Sequence, residues 1–324
     1  MTDLAKNSPD VTAIAIGRNE GERLVRCLTS LASRVSRVVY VDSGSTDGST
    51  ARALDLGAEV VSPDMSRPFT AARARNAGFA RVGNSEFVQF VDGDCEVDGQ
   101  WLDRALAEMA ANPRLGVVAG RRRERFPEAS IYNRICDAEW NTPIGPAQAV
   151  GGDMLARRAA IAEVGGYDPT LIAGEEPEMC LRLARAGWQI RRIDSDMTLH
   201  DAAMTRFSQW WKRNRRTGHA FAEVSWRYRN GPEGFWKRET RRAAIWAGLL
   251  PVILLLALVQ PWFLLALLIY PAQIVRMARR DSDPQDKWAR AAFNMLGKFP
   301  EALGIAEYHL RRVLGRKSGL IEYK

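Results

Sequence analysis

The chain has 324 residues, 46% hydrophobic and 26% charged, proportions that exclude a disordered or fibrous protein and leave room for a sizeable core in two domains. Lys and Arg number 46 against 38 Asp and Glu, giving +8 and a pI near 9.6; this points to an anionic partner such as phospholipid, nucleotide or nucleic acid. Cys27, Cys95, Cys136 and Cys180 show no CxxC spacing, which argues against a zinc site or disulfide framework and makes reduced thiols the expectation.

Met1 to Asp10 is polar and lacks the basic and apolar regions of a secretory signal, so the first domain is expected to stay in the cytoplasm. Strand and helix then alternate. Val11–Ile16 reads as a strand, Glu22–Leu31 as an amphipathic helix with Leu24, Cys27, Leu28 and Leu31 on one side, and Val38–Val41 as a second strand. Ser49–Leu56 is a helix closed by Gly57, Glu59–Val61 a short strand, Ala71–Ala80 a helix and Phe87–Val91 a strand. This rhythm predicts a mostly parallel sheet covered on both faces, an α/β fold. Gln100–Ala111 reads as helix and Leu115–Gly120 as strand, followed by Arg121, Arg122 and Arg123. Residues 124–150, with Pro127, Pro143, Gly145 and Pro146, read as irregular and facing a substrate. Arg157–Val164 and Pro177–Ala186 read as helices stopped by glycine, and Ile190–Ile193 as a later strand.

From Ala243 to Val275 there is no charged residue, and Gln260-Pro261 interrupts the run near its middle. Halves of about 17 residues suit a tight helical hairpin or re-entrant pair. Lys237, Arg238, Arg241 and Arg242 precede it and Arg276, Arg279 and Arg280 follow, placing both flanks on the cytoplasmic side. Two core helices of a soluble domain are the alternative. Phe207, Trp210, Trp211, Lys212, Arg213 and Arg215 make a basic aromatic segment suited to a bilayer interface; no recognisable nucleic-acid module accompanies the charge. Leu303, Ala306, Leu310, Val313 and Leu314 recur at helical spacing in an amphipathic tail that docks on the membrane or on the first domain.

Three sets of side chains carry chemistry. Asp92 and Asp94 flank Gly93 at the end of an apolar strand, a place where α/β proteins hold ligands and where oxygen donors suit Mg²⁺ or Mn²⁺; a solvated turn is the alternative. Asp42 ends a strand in the same way and is followed by Gly-Ser-Thr-Asp-Gly, which offers hydroxyl-binding groups or a helix cap through Ser45, Thr46 or Asp47. Glu175, Glu176 and Glu178 surround Pro177 at a helix start, either for proton transfer or to favour the helix dipole. His200 completes a carboxylate metal site or is structural.

IAIGRNE at 14–20, VDSGSTD at 41–47, ARN at 74–76, VDGD at 91–94, GGD at 151–153, GGYD at 165–168 and GEEPEMCLRLARAGW at 174–188 together resemble the family 2 glycosyltransferases, which have the nucleotide-sugar-binding GT-A fold. The resemblance implies that Asp42 holds the donor base or ribose, with Arg18, Asn19 and Glu20 lining the same pocket. It makes Asp92 and Asp94 the DXD motif that carries a divalent cation and the donor diphosphate, with His200 as a further ligand. Arg75 and Asn76 support this region, a solvated helix face being the alternative for Arg75. Glu176 matches the family's base, with Glu in place of Asp, and Glu175 and Glu178 compete for that role. Gly152, Asp153 and Glu175 line the wall where donor sugar and acceptor meet. Trp140 and Trp188 stack on sugars or serve packing.

The expectation is therefore an inverting, Mn²⁺- or Mg²⁺-dependent enzyme moving sugar from a nucleotide-sugar donor to a lipid-linked saccharide or membrane glycolipid in envelope or exopolysaccharide synthesis, without nucleic acid. Its divisions are a polar tail at 1–10, the GT-A domain at 11–225, a basic linker at 226–242, a membrane hairpin at 243–278 on the cytoplasmic face of the inner membrane, and the tail at 279–324. Haloacid-dehalogenase-like phosphoryl transfer is one alternative, since FVDGDCEV resembles that strand and DxD, although Glu96 stands where Thr or Ser is expected. A non-catalytic scaffold is the other.

Overall fold

Alternation along the apolar strands of the N-terminal half decides which residues meet which layer. The computed structural model describes residues 10–66 and 69–316; the polar N-terminal tail, apart from Asp10, and the last residues of the C-terminal tail lie outside them. Strands β1 (Val11–Gly17), β2 (Arg37–Asp42), β3 (Glu59–Val61) and β4 (Phe87–Asp92) pair in parallel in the order β3-β2-β1-β4. Ala13, Ala15, Tyr40 and Val91 enter one apolar layer together with Leu24, Cys27, Leu28 and Leu31 of helix α1 (Glu22–Leu31). Ile14, Ile16, Val39, Val41 and Phe90 point to the opposite layer. Helix α2 (Ser49–Asp55) leads into β3, and α3 (Ala71–Phe79) adds Ala72 and Ala74 to that second layer. Parallel register matches Gly17 with Asp42 and Ile16 with Asp92, so both acids end their strands at one edge of the sheet. Because β2 and β4 flank β1, the two are about 10 Å apart along that edge.

The rest of the first unit, which ends at Thr205, extends the sheet with mixed directions. Strand β5 (Cys95–Val97), helix α4 (Trp101–Ala111), strand β6 (Leu115–Glu124), a 3-10 turn at Pro127–Ala129, helix α5 (Ile131–Glu139) and strand β7 (Gly145–Pro146) follow in order. Then come β8 (Met154–Arg157), α6 (Arg158–Glu163), α7 (Glu175–Arg185) and β9 (Gln189–His200). Strand β8 lies antiparallel between β4 and β6, β6 pairs in parallel with β9, and β5 and β7 pair antiparallel with β9. Three features differ from the sequence expectation. Residues 124–150 contain α5, whose N-cap Ser130 accepts from the backbone of Asn133; short β5 and β8 carry no readable period; and β9 runs unbroken to His200.

The second unit begins at Arg206 and contains helices α8 (Phe207–Arg227), α9 (Lys237–Val259), α10 (Ile269–Arg280) and α11 (Lys287–Val313), with a 3-10 helix at Pro261–Leu268 between α9 and α10. Within this unit α8 packs lengthwise on α11. Glycine permits that approach. A Cβ at Gly218 would strike the Glu301 carbonyl, and one at Gly304 the Arg215 carbonyl. The apolar run breaks at Gln260, which has φ −141° and ψ 108°, and Pro261 begins the next helix. Tyr270 Oη donates to the Trp246 carbonyl at 2.8 Å, clasping the two arms. Among the described residues, Lys237–Val259 and Pro261–Arg280 are long and apolar enough to cross a membrane by length and composition, and Leu255, Leu258, Val259, Leu265 and Leu268 on them are exposed. Gly304→Val should destabilise this unit by about 1–3 kcal/mol through overpacking, read as a lower thermal midpoint in detergent micelles. Gly248→Ala, with no atom within 4 Å of the added Cβ, should leave the midpoint unchanged or slightly raised.

Candidate active site

The sheet edge at Asp42 is organised by backbone donors. Asp42, 4% exposed, accepts from the amides of Gly44 and Ser45 at 3.0 and 2.9 Å and from Tyr40 Oη at 3.1 Å. Asn19 joins this loop to the end of β1: its backbone N–H donates to Ser45 Oγ at 2.9 Å and its Oδ1 accepts from Thr46 N at 2.7 Å. Arg18 and Asn19 are exposed, and half-buried Glu20 pairs with Arg23 at 2.8 Å. Asp47 accepts from Ser49 N at 3.0 Å in a turn just before α2, whose N-cap is Gly48 with no side-chain cap, so Ser45, Thr46 and Asp47 are not its N-cap. Asp42 remains a strand-end carboxylate whose partners are its own loop.

Arg75 unites three acids from two segments, β4 and α7. It is 2% exposed, not a solvated face, and its Nη2 lies 2.8 Å from Asp92 Oδ1 while Nη1 lies 3.2 Å from Glu175 and 2.9 Å from Glu176. Burial opposes its charge, yet Glu176 and Asp92 outweigh that and hold the guanidinium protonated. A Cβ at Gly152 would collide with Arg75 Nη2, so only glycine lets the side chain through. Glu176 is pushed up to about 7, first by burial and then by neighbouring Glu175, against the pull of Arg75. Glu178 is taken up by Arg182 at 2.7 Å. Asn76 bonds the Tyr167 backbone in both directions, at 2.7 and 2.9 Å, and so fixes the turn after α6.

Arg122 is the side chain that motif reading missed. Its Nη2 reaches Asp92 Oδ2 at 3.2 Å and Asp153 Oδ2 at 2.8 Å, and it lies 5.5 Å from the Trp140 ring centroid. Asp153, 1% exposed, also accepts from the Asp92 amide at 3.0 Å and from Thr198 Oγ1 at 2.7 Å, which makes it a brace behind Asp92. The available signal was charge directly following an apolar strand, the same pattern that singled out Asp92.

Asp94 and His200 meet across β5 and β9. Asp94 Oδ2 is 3.3 Å from His200 Nε2, and Trp140 packs edge-on against the imidazole at 4.8 Å. Behind the ring, buried His200 Nδ1 has no hydrogen-bond partner and stands 3.8 Å from Glu124 Oε2. Donor atoms of Asp94, Cys95 and His200 lie within 4.8 Å of one another, and burial pushes the Cys95 thiol up so that it remains protonated. A carboxylate and an imidazole 3.3 Å apart are donors that fit a divalent cation. Trp188, by contrast, donates to Glu163 at 2.8 Å and packs on Gly116, away from these groups.

Comparison with known proteins gives the family and the fold. Residues 12–150 match glycosyl transferase family 2, and residues 87–278 match glycosyl transferase family group 2. The chain is 30% identical over 236 residues to the pre-mycofactocin glycosyltransferase of Mycobacterium tuberculosis, covering 68% of this chain and 48% of that protein. It is 24% identical over 231 residues to glycosyltransferase AglE of Haloferax volcanii, covering 67% and 74% respectively. Among solved structures it resembles the mannosyltransferase PcManGT from Pyrobaculum calidifontis in complex with GDP-Man and Mn²⁺, with TM-score 0.61, 16% identity, and 93% and 88% of the two chains covered. It also resembles S. aureus TarS 1-349, with TM-score 0.50, 14% identity and 94% and 92% covered. Both likenesses concern the fold, which is GT-A. The chain belongs to the family 2 glycosyltransferases. It spans about half the length of the mycobacterial relative. Membership displaces the phosphoryl-transfer alternative.

Arg75→Met would leave Asp92, Glu175 and Glu176 without their shared cation. Urea unfolding at pH 8 should show a loss of about 3–5 kcal/mol, as for a broken buried ion pair. The loss should shrink at pH 5.5, because a carboxyl whose folded pKa is raised is neutral there and needs no partner.

Proposed function

We propose that this chain is an inverting, divalent-cation-dependent glycosyltransferase that takes sugar from a nucleotide-sugar donor and gives it to a lipid-linked saccharide or membrane glycolipid. It works at the cytoplasmic face of a membrane, held by the hairpin within 243–278, in synthesis of envelope or exported polysaccharide. The observation that carries this is Glu176: a carboxyl raised to about 7, bound to the same Arg75 that grips Asp92 of the acidic pair. Family membership supports the donor class, and a structural neighbour holds GDP-Man and Mn²⁺.

Asp94 and His200, with Asp92 beside them, would hold Mn²⁺ or Mg²⁺, which supplies positive charge to a departing diphosphate. Asp42 retains acceptor capacity for a donor hydroxyl or base N–H beside Arg18, Asn19 and Glu20. Glu176 Oε takes the proton from the acceptor hydroxyl as that oxygen bonds to the anomeric carbon. The bond to the diphosphate oxygen breaks on the opposite face and its electron pair leaves with the diphosphate, inverting the centre. A base must be ionised, so the rate should rise with pH through about 7 and level off above it. Glu176→Gln should lower transfer by about 10²–10⁴-fold with nucleotide binding retained, measured by diphosphate release with Mn²⁺. Full activity in Glu176→Gln together with none in Glu175→Gln would move the base to Glu175.

The hairpin reading has its own check. Membranes washed in alkaline carbonate should retain the protein, whereas complete release would remove the integral anchor from the proposal.

A further inference from the structure

Arg192 is a buried cation that the chemistry above does not use. It is 4% exposed, its Nε is buried with no hydrogen-bond partner, and no carboxylate among the described residues lies within ion-pair distance of its guanidinium. The adjacent Arg191 makes the contrast: it is exposed and yet pairs with Glu108 at 3.1 Å. Arg121, 7% exposed, is a second guanidinium, two positions along β6 from Ala119, the residue that pairs with Arg192. Burial lowers its pKa first, Asp137 opposes that, and the like charges of Arg123 and Arg192 lower it further. Asp137 is held by Arg121 at 2.7 Å and by the Glu124 amide at 2.8 Å. Arg121 thus has a carboxylate partner while Arg192 has none among the described residues, which leaves excess positive charge on this stretch of sheet.

A buried charge without a partner costs far more than a surface one, so a packed protein keeps it where a ligand completes the pair. Placement on the strand says where that ligand sits. Alternation puts Arg192 on the same face of β9 as Ile190, which packs in the apolar layer with Met179, Cys180 and Leu183 of α7. Arg192 is the next position on that face toward the strand end that carries the site, and the first turn of α7 carries Glu175 and Glu176. Register shifts between Ala119 and Arg121 of β6 let Ala119 face Arg192 while Arg121 faces Asp196, which turns this stretch of sheet. Gly145 of β7 pairs with Arg192, and the largely exposed 141–149 loop runs beside it.

We infer that Arg192, on the α7 side of the sheet, is the anchor of an anion subsite that holds a phosphate or pyrophosphate group of the acceptor, with Arg121 adding positive charge from the neighbouring strand. Its assignment to the acceptor rests on the glycosyl-transfer reading; the anion site itself does not. The subsite selects phosphorylated acceptors over neutral ones. Two sources share this chemistry, a prenyl-linked phosphate and a water-soluble phosphate ester.

The test is titration calorimetry on the full chain in neutral detergent micelles, with farnesyl phosphate, farnesol and inorganic phosphate as probes. Wild type should bind farnesyl phosphate at least tenfold more tightly than farnesol, and Arg192→Met should erase that difference. The variant should keep wild-type affinity for GDP or UDP with Mn²⁺ and an equal or higher thermal midpoint, since an unpaired buried charge has gone. Arg192→Lys should recover part of the phosphate affinity. Inorganic phosphate binding that depends on Arg192, with farnesyl phosphate no tighter, supports the subsite with a soluble acceptor. Unchanged farnesyl phosphate binding in Arg192→Met overturns the inference, as does a lowered midpoint with nucleotide binding lost too, which marks a structural residue. If no nucleotide sugar is turned over while Arg192-dependent phosphate binding persists, the enzymatic reading fails and the subsite stands.

Discussion

One guanidinium sets the geometry of the sheet edge. Arg75 projects from α3 into a space lined by carboxylates from β4 and from the first turn of α7, segments distant in the chain. Without it, like charges would repel at short range in a poorly hydrated place, and neither Asp92 nor Glu176 would hold a fixed position. Arg122 repeats the device on the other side, spanning Asp92 and Asp153. Asp92 is therefore gripped from both flanks, with its own amide bonded to Asp153. Asp94 faces the His200 imidazole across β5 and β9, with Oδ2 3.3 Å from Nε2.

The same contrast orders the acids of α7. Glu178 is neutralised by Arg182 one turn along its own helix, an ordinary structural pair. Glu175 and Glu176 instead compete for a single nitrogen of Arg75, and that shared partner leaves Glu176 short of full compensation. Burial first, and the neighbouring Glu175 next, place the Glu176 carboxyl near neutrality against the pull of Arg75, where it exchanges protons readily at physiological pH.

The parallel half of the sheet was legible because its strands alternate and its helices carry clear apolar stripes; the helix at Glu22–Leu31 agrees in full. Asp42, Asp92 and Asp94 were legible for a related reason, since a charge that abruptly ends an apolar strand has no packing purpose. What escaped was short or depended on tertiary contact. Strands β5 and β8 are too brief to show a period, and α5 sits in a segment whose prolines and glycine suggested a loop. Arg75 was read as supporting the acidic pair or lying on a solvated helix face, and Arg122 was given no role, because sequence does not reveal which carboxylates fold toward them. Asn76 and Asp153 were found as residues of the site, yet their hydrogen bonds are to Tyr167, Asp92, Thr198 and Arg122, bonds that hold the frame in place.

Gly152 shows how a stretch of chain can be fixed by clearance. A methyl group there would meet Arg75 Nη2 and crowd the Asp92 carboxylate, so any side chain at this position must displace the guanidinium that grips Asp92. The solvent-facing 141–149 segment has the freedom that the interior denies. One stretch is thereby locked by contact and the other left open to drift.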